Sequence, residues 1–182
     1  KDLEKMVDTN DEWITARTGI KKRRILKKKG KATSYLAVNA ANDLINKKEL
    51  DPNTIDLVIV STITPDFHGA STAPTVASQI NASNAYAFDI NAACSGFLFG
   101  MSTATSYIES GRYKKVLLIG ADMMSSIVDY TDRSTSILFG DGAGAVLIEP
   151  SDNDFGWEDE FLRSDGIGAE WLKIKAGGSL YP

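Results

Sequence analysis

AYAFDINAACSGFLFGMSTATSYIES (residues 85–110) reads as a strand, a turn of small residues and a long helix, with the chain's single cysteine, Cys94, at the junction. Ala85 to Ile90 is short and apolar, with Tyr86 and Phe88 favouring a strand. From Cys94 to Ser110 the residues Phe97, Met101, Ala104 and Ile108 recur on one helical stripe, and Gly111 ends the helix. The same alternation runs outward. Ser34 to Leu50 is an amphipathic helix in which Leu36, Ala40 and Leu44, and likewise Ala37, Ala41 and Ile45, recur every four residues until Asp51-Pro52-Asn53 breaks it. Ile55 to Thr62 (IDLVIVST) and Lys115 to Gly120 (KVLLIG) are unbroken apolar runs, the mark of strands buried on both faces. Ala73 to Ile80 is a modest helix between them. Asp2 to Val7 and Asp11 to Arg17 read as short helices, the second capped by Asn10 or Asp11. Ile137 to Phe139 leads into a glycine turn, and Ala143 to Glu149 is a further strand. Ser151 to Pro182 is polar and less regular. Helices alternating with strands predict an α/β fold with a mostly parallel sheet.

Composition narrows the function. Twenty Lys and Arg stand against 24 Asp and Glu, a net charge of −4, which does not suit a nucleic-acid binder. No stretch is long and apolar enough to span a membrane, and the start, Lys1-Asp2-Leu3-Glu4-Lys5, is no signal peptide. With one cysteine no internal disulfide can form, which fits the cytoplasm. The stretch with Lys21, Lys22, Arg23, Arg24, Lys27, Lys28, Lys29 and Lys31 is locally basic; it reads either as a solvated loop or as a rim for an anionic ligand. The chain opens on a helix with no strand before it, and Ala176 to Pro182 resembles the middle of a loop. Residues 1–182 are therefore expected to be one half of a longer protein.

Cys94 is the chemical centre. A helix start carries unpaired N–H groups and a partial positive charge, which favour a thiolate. Ala92, Ala93, Ser95 and Gly96 let a substrate approach. Yet Cys94 shares a helical register with Leu98 and Met101. On spacing alone a packed, inward-facing core cysteine is the commoner explanation.

Four ordered blocks add to this. They are Val7-Asp8-Thr9-Asn10-Asp11-Glu12-Trp13-Ile14 with Arg17-Thr18-Gly19-Ile20, Asp89 to Phe97 around Cys94, Asp132-Arg133, and Phe139-Gly140-Asp141-Gly142-Ala143-Gly144-Ala145. Together they resemble β-ketoacyl-acyl carrier protein synthase III, a family of thiolase-fold condensing enzymes that start bacterial type II fatty-acid synthesis. The resemblance implies the amino-terminal half of a thiolase-like fold, a mostly parallel mixed sheet flanked by helices. It implies Cys94 as the nucleophile that takes an acyl group from acyl-coenzyme A. It implies Trp13 and Arg133 on the two faces of the adenine, and Arg17 near the coenzyme A phosphates. Thr9 and Ser134 fall where the family contacts the nucleotide, and Phe139 and Leu172 where it forms the acyl pocket and tunnel. Without the resemblance, Trp13 reads as a surface anchor and Phe139 as core packing.

The family's catalytic histidine and asparagine have no counterpart in this chain. The only histidine, His68, lies in Pro65-Asp66-Phe67-His68-Gly69 and reads as a loop residue near a dimer contact or tunnel. The implied partners are acyl-coenzyme A, malonyl-acyl carrier protein and a second copy of the chain. The coenzyme A thioester is a substrate, and no metal or resident cofactor is implied. Hydroxymethylglutaryl-coenzyme A, quinolone and polyketide synthases are related alternatives, separated by turnover with malonyl-acyl carrier protein against malonyl-coenzyme A. From other classes, Gly140 to Gly144 could be a nucleotide loop, although it lacks a Gly-Lys-Ser/Thr ending, and the chain could be a non-catalytic acyl-binding module.

Overall fold

Alternation of buried strands with helices builds a three-layer arrangement, seen in a computed structural model that describes residues 2–153 and 156–182. The elements are α1 (Asp11–Thr18), α2 (Thr33–Lys48), β1 (Leu57–Ser61), α3 (Thr72–Gln79), β2 (Tyr86–Ile90), α4 (Gly96–Glu109), β3 (Val116–Met123), α5 (Arg133–Ser136) and β4 (Asp141–Ile148). The sheet order is β2-β1-β3-β4; β1 runs parallel to both its neighbours, and β4 lies antiparallel on β3.

Every residue of β1 is buried, because it is central and covered on both faces. Val58 and Val60 face Ala37, Ala41 and Ile45 of α2 and Ala73, Val76 and Ala77 of α3. Leu57 and Ile59 face the other way, onto the stripe Phe97, Met101, Ala104 and Ile108 of α4. The β1–α3–β2 and β2–α4–β3 crossovers thus put their helices on opposite faces. Their strands open to opposite sides of β1. In such sheets a crevice forms at the carboxyl ends of the strands where the winding reverses.

Several expectations need correction. The helix expected over Asp2 to Val7 is a single 3-10 turn, Leu3–Lys5. The α-helix expected to begin at Cys94 begins at Gly96, after a 3-10 turn at Ala93–Ser95. The glycine turn is not a turn. Gly142 and Gly144 pair with Asp122 and Gly120 inside β4, and that pairing also extends β3 beyond Gly120. This arrangement rules out a phosphate loop, which needs a helix after the glycines. The tail after Ser151 holds one 3-10 turn, Gly166–Glu170, as its regular structure among the described residues; Asp154 and Phe155 lie outside them.

Candidate active site

Cys94 stands where β2 has ended and α4 has not begun. The turn that carries it is held open by Ala93, whose φ of 47° lies in the left-handed region. That conformation is strained for a residue with a Cβ, and such strain gathers at functional sites. The consequence is a correction: Cys94 does not face the core but is exposed. Its register partner Leu98 is exposed too, so the packed-cysteine reading fails.

Two close approaches fix the helix behind the thiol. A Cβ at Gly96 would run into Ser61 Oγ at the end of β1, and one at Gly100 would lie 2.6 Å from Leu118 Cδ1. Glycines four residues apart face one way, so α4 lies flush on the sheet and Cys94 sits over the carboxyl ends of β1 and β3.

There a cleft of about 390 Å³ opens, bounded by Ser61, Cys94, Phe97, Gly120, Asp122 and Gly140. Gly142, Ala143 and Gly144 of β4 complete its wall. A Cβ on Gly142 or Gly144 would meet nothing within 4 Å. Their lack of side chains keeps the wall bare beside the thiol. Sequence reasoning did not find Ser61, Gly120 or Asp122. The available signal was the rule that strand ends at a reversal of winding form sites.

Carboxylates brace this region. Asp122 accepts from Thr62 Oγ1 (3.0 Å), Ile63 N–H (2.9 Å) and Thr64 Oγ1 (3.0 Å). Asp89 accepts the Thr72 and Ala73 N–H groups at 2.6 and 2.7 Å and so ties β2 to the start of α3. Asp141 accepts from Leu26 N–H and from the Ser125 N–H and hydroxyl. Each meets backbone donors that would otherwise be orphaned near the surface.

A second cluster lies at α1 and α5. Asn10 caps α1 by accepting the Trp13 N–H at 2.7 Å. The Arg17 and Arg133 guanidinium carbons lie 4.2 and 4.7 Å from the Trp13 ring centre, within cation–π range. Arg133 also donates to the Asp8 carbonyl at 3.1 Å, and its guanidinium stands 3.7 Å from the Asp8 carboxylate. Thr9, next in the chain, has a buried hydroxyl without a partner. Asp132 caps α5 through the Ser134 N–H, and hydrogen bonds from Ser134 and Thr135 hold its carboxyl below the usual range. Burial lowers the pKa of Arg23, whose Nε donates to the Ile137 carbonyl, and raises that of Tyr130.

The expected site residues therefore divide. Trp13, Arg17 and Arg133 meet, with Thr9 and Ser134 as chain neighbours of that cluster. Phe139 is half-buried, one residue before the cleft wall. Leu172 is 75% exposed and is not among the residues that line the cleft. His68 is also away from the cleft, exposed, near Gly177. Among the described residues no group of three or more His, Cys, Asp and Glu could hold a metal ion.

The chain is similar to known proteins over its whole length. The 3-oxoacyl-[acyl-carrier-protein] synthase III family matches residues 88–166. The chain is 52% identical over 182 residues to β-ketoacyl-[acyl-carrier-protein] synthase III 2 of Bacteroides thetaiotaomicron, covering 100% of this chain and 54% of the relative. It is 57% identical over 183 residues to the synthase III of Chlorobium chlorochromatii, covering 100% and 56%. A crystal structure of the Thermus thermophilus synthase III superposes with a TM-score of 0.89 at 38% identity, covering 98% of this chain and 54% of that one. The chain spans about half the length of the curated relatives it matches.

Proposed function

We propose that this chain, which has a thiolase-like fold, belongs to the 3-oxoacyl-[acyl-carrier-protein] synthase III family that it resembles over its whole length, and that it carries the nucleophile half of an acyltransferase that condenses an acyl-coenzyme A primer with malonyl-acyl carrier protein. The observation that carries the reading is the exposed thiol of Cys94 at a strained strand–turn–helix junction over a cleft. The Cys94 thiolate attacks the thioester carbonyl and coenzyme A leaves as its thiolate, which takes a proton from solvent. Malonyl thioester then loses carbon dioxide. The resulting carbanion attacks the acyl-cysteine, expels the Cys94 thiolate and forms a 3-oxoacyl thioester. The Cys94 N–H is one oxyanion donor; the second donor, with the histidine and asparagine that assist decarboxylation, comes from the remainder of the protein. The chemistry needs no metal or resident cofactor.

The Trp13 cluster is the coenzyme A clamp in this reading. Trp13 and Arg133 take the adenine and Arg17 the phosphates, with Thr9 and Ser134 beside them. Phe139 and Leu172 border the acyl chain once the rest of the protein covers them. The edge strand β2, unpaired on one side and with Tyr86 58% exposed, pairs with its copy in a homodimer; light scattering that returned an active monomer would remove this pairing. The free thiol and the substrates suit the cytoplasm, and no helix among the described residues is long and apolar enough to cross a membrane.

The test is acylation. Full-length protein with acetyl-coenzyme A is expected to gain one acetyl group on the Cys94 peptide by mass spectrometry. Cys94→Ser is expected to lower condensation by about a thousandfold or more. Condensation at the parent rate in that variant would end the assignment.

A further inference from the structure

The strand β1 is buried to its last residue, and that residue is a serine. Strand alternation puts Leu57, Ile59 and Ser61 on one face, and Leu57 and Ile59 lie on the α4 side of the sheet. An apolar residue would continue that stripe. Ser61 ends it with a hydroxyl instead, in a residue that is 6% exposed. The Oγ stands against Gly96, the first residue of α4, and Ser61 lines the cleft together with Cys94. The hydroxyl has no hydrogen-bond partner among the described residues. One strand over, Asp122 lines the same cleft. Ser61 pairs with Gly120 in the register of β1 on β3, so Asp122, two residues on, is its diagonal neighbour, with Cα atoms about 8 Å apart. The three hydrogen bonds that Asp122 accepts all go to Oδ1. Its Oδ2 accepts none among the described residues. The other side chains of the lining are apolar, with Phe97, Ala121 and Met124 among them.

We propose that Ser61 and Asp122 select a primer whose acyl group carries a hydroxyl, so that the acyl donor is a hydroxyacyl-coenzyme A. The inference rests on the functional reading above and narrows its substrate. A hydroxyl matches both partners. Its oxygen accepts from the Ser61 O–H, and its own hydrogen goes to Asp122 Oδ2. A ketone oxygen only accepts, and leaves Asp122 unanswered. A second carboxylate meets Asp122 as a like charge. An ammonium group carries a full charge into a cleft whose remaining side chains are apolar. A plain hydrocarbon chain takes water from both polar atoms and returns no hydrogen bond. An apolar pocket hardly separates an acyl group from its hydroxylated analogue, whereas a site with polar groups to satisfy rejects the analogue that lacks the hydroxyl.

The test uses full-length protein and coenzyme A thioesters of one chain length. They are butyryl, the isomers of hydroxybutyryl with the hydroxyl on the second, third or fourth carbon, and 3-oxobutyryl. Acylation of Cys94 is followed by mass spectrometry. Rate constants are compared within each protein, as the ratio of hydroxylated to plain thioester, so that the folded fraction of a variant cancels. The parent is expected to prefer at least one hydroxybutyryl isomer over butyryl by about tenfold. Ser61→Ala is expected to bring that ratio to about one. Asp122→Asn keeps an acceptor oxygen for the three donors and puts an amide donor in place of Oδ2, and is expected to move the preference from hydroxyl towards 3-oxobutyryl. A parent ratio of about one or below for every isomer overturns the proposal. A Ser61→Ala protein that slows on all thioesters alike and keeps the parent ratio also overturns it, because the serine then only packs against α4. If no thioester acylates Cys94, the functional reading fails separately, and calorimetric titration of the same thioesters decides. Equal binding of the plain and hydroxylated forms, or a preference that Ser61→Ala keeps, overturns the selection; a preference lost in Ser61→Ala upholds it.

Discussion

An added methyl group at position 96 would strike Ser61 Oγ, while Ser61 Cβ would stay 3.6 Å away at ordinary contact distance. Only the hydroxyl stands in the way. Gly96→Ala is therefore expected to destabilise the full-length protein by about 1–3 kcal/mol, the usual cost of overpacking, by lifting the first turn of α4. Gly96→Ala with Ser61→Ala is expected to recover most of that loss, because the obstructing atom is gone and the two sites are coupled. Denaturant midpoints of the parent, both singles and the double measure this. A double variant no better than Gly96→Ala would mean that the helix is held elsewhere. Spacing alone reads Cys94 as a packed core cysteine; its part as a nucleophile is implied only by the family resemblance, and its exposure follows from the turn at Ala93. Ser61, Gly120 and Asp122 carry no local pattern. They become neighbours of Cys94 only when three strands far apart in sequence lie side by side. Trp13 and Arg133 were paired through a family resemblance and not through spacing, and the structure sets the Arg133 guanidinium against the Trp13 ring.

α3 begins without a local cap: its N-cap residue Ser71 makes no side-chain bond, and the Asp89 carboxylate from β2 takes the first two N–H groups instead. A negative group there also complements the helix dipole. This one carboxylate fixes the end of the strand that delivers Cys94. Asp89→Ala is expected to cost about 1–3 kcal/mol by orphaning the two donors and to slow acylation of Cys94 by coenzyme A thioesters. Asp89→Asn, which keeps one acceptor oxygen and puts an amide donor against the second N–H, is expected to fall between. Full stability in Asp89→Ala would show that water caps α3 equally well. The helices and central strands were legible because periodicity and unbroken apolar runs are local signals. The start of α4 and the nature of residues 140–144 were not. Glycine normally announces a turn, but Gly142 and Gly144 keep extended conformations in β4. They are suited to that place by the missing side chain, a requirement set by the cleft and invisible in the segment itself.

At the scale of the molecule the two faces of the sheet differ. Among the described residues fourteen buried hydrophobic residues form the core under α2 and α3, against five under α4, where Val146 and Ile148 of β4 are only half covered. The tail adds large apolar side chains with no cover: Phe161, Trp171 and Leu180 are 79%, 84% and 81% exposed. Its irregular, polar-looking sequence concealed this, because these residues follow neither a helical nor a strand period and stay largely exposed. Single exposed apolar residues are normal, but several large ones left exposed in one segment raise the aggregation hazard. A polypeptide of residues 1–182 alone is therefore expected to bind a hydrophobic dye and to self-associate as its concentration rises. The same groups contribute almost no burial within these 182 residues. Replacing Phe161, Trp171 and Leu180 together by serine is expected to cut dye binding severalfold while shifting stability by no more than about 0.5 kcal/mol per site. Dye fluorescence, light scattering and a denaturant midpoint on parent and variant measure all three quantities. A dye-silent monomeric parent would show that the tail folds back and covers itself. A variant that lost several kcal/mol would show that the three side chains are already packed, and the open-face account would have to be withdrawn.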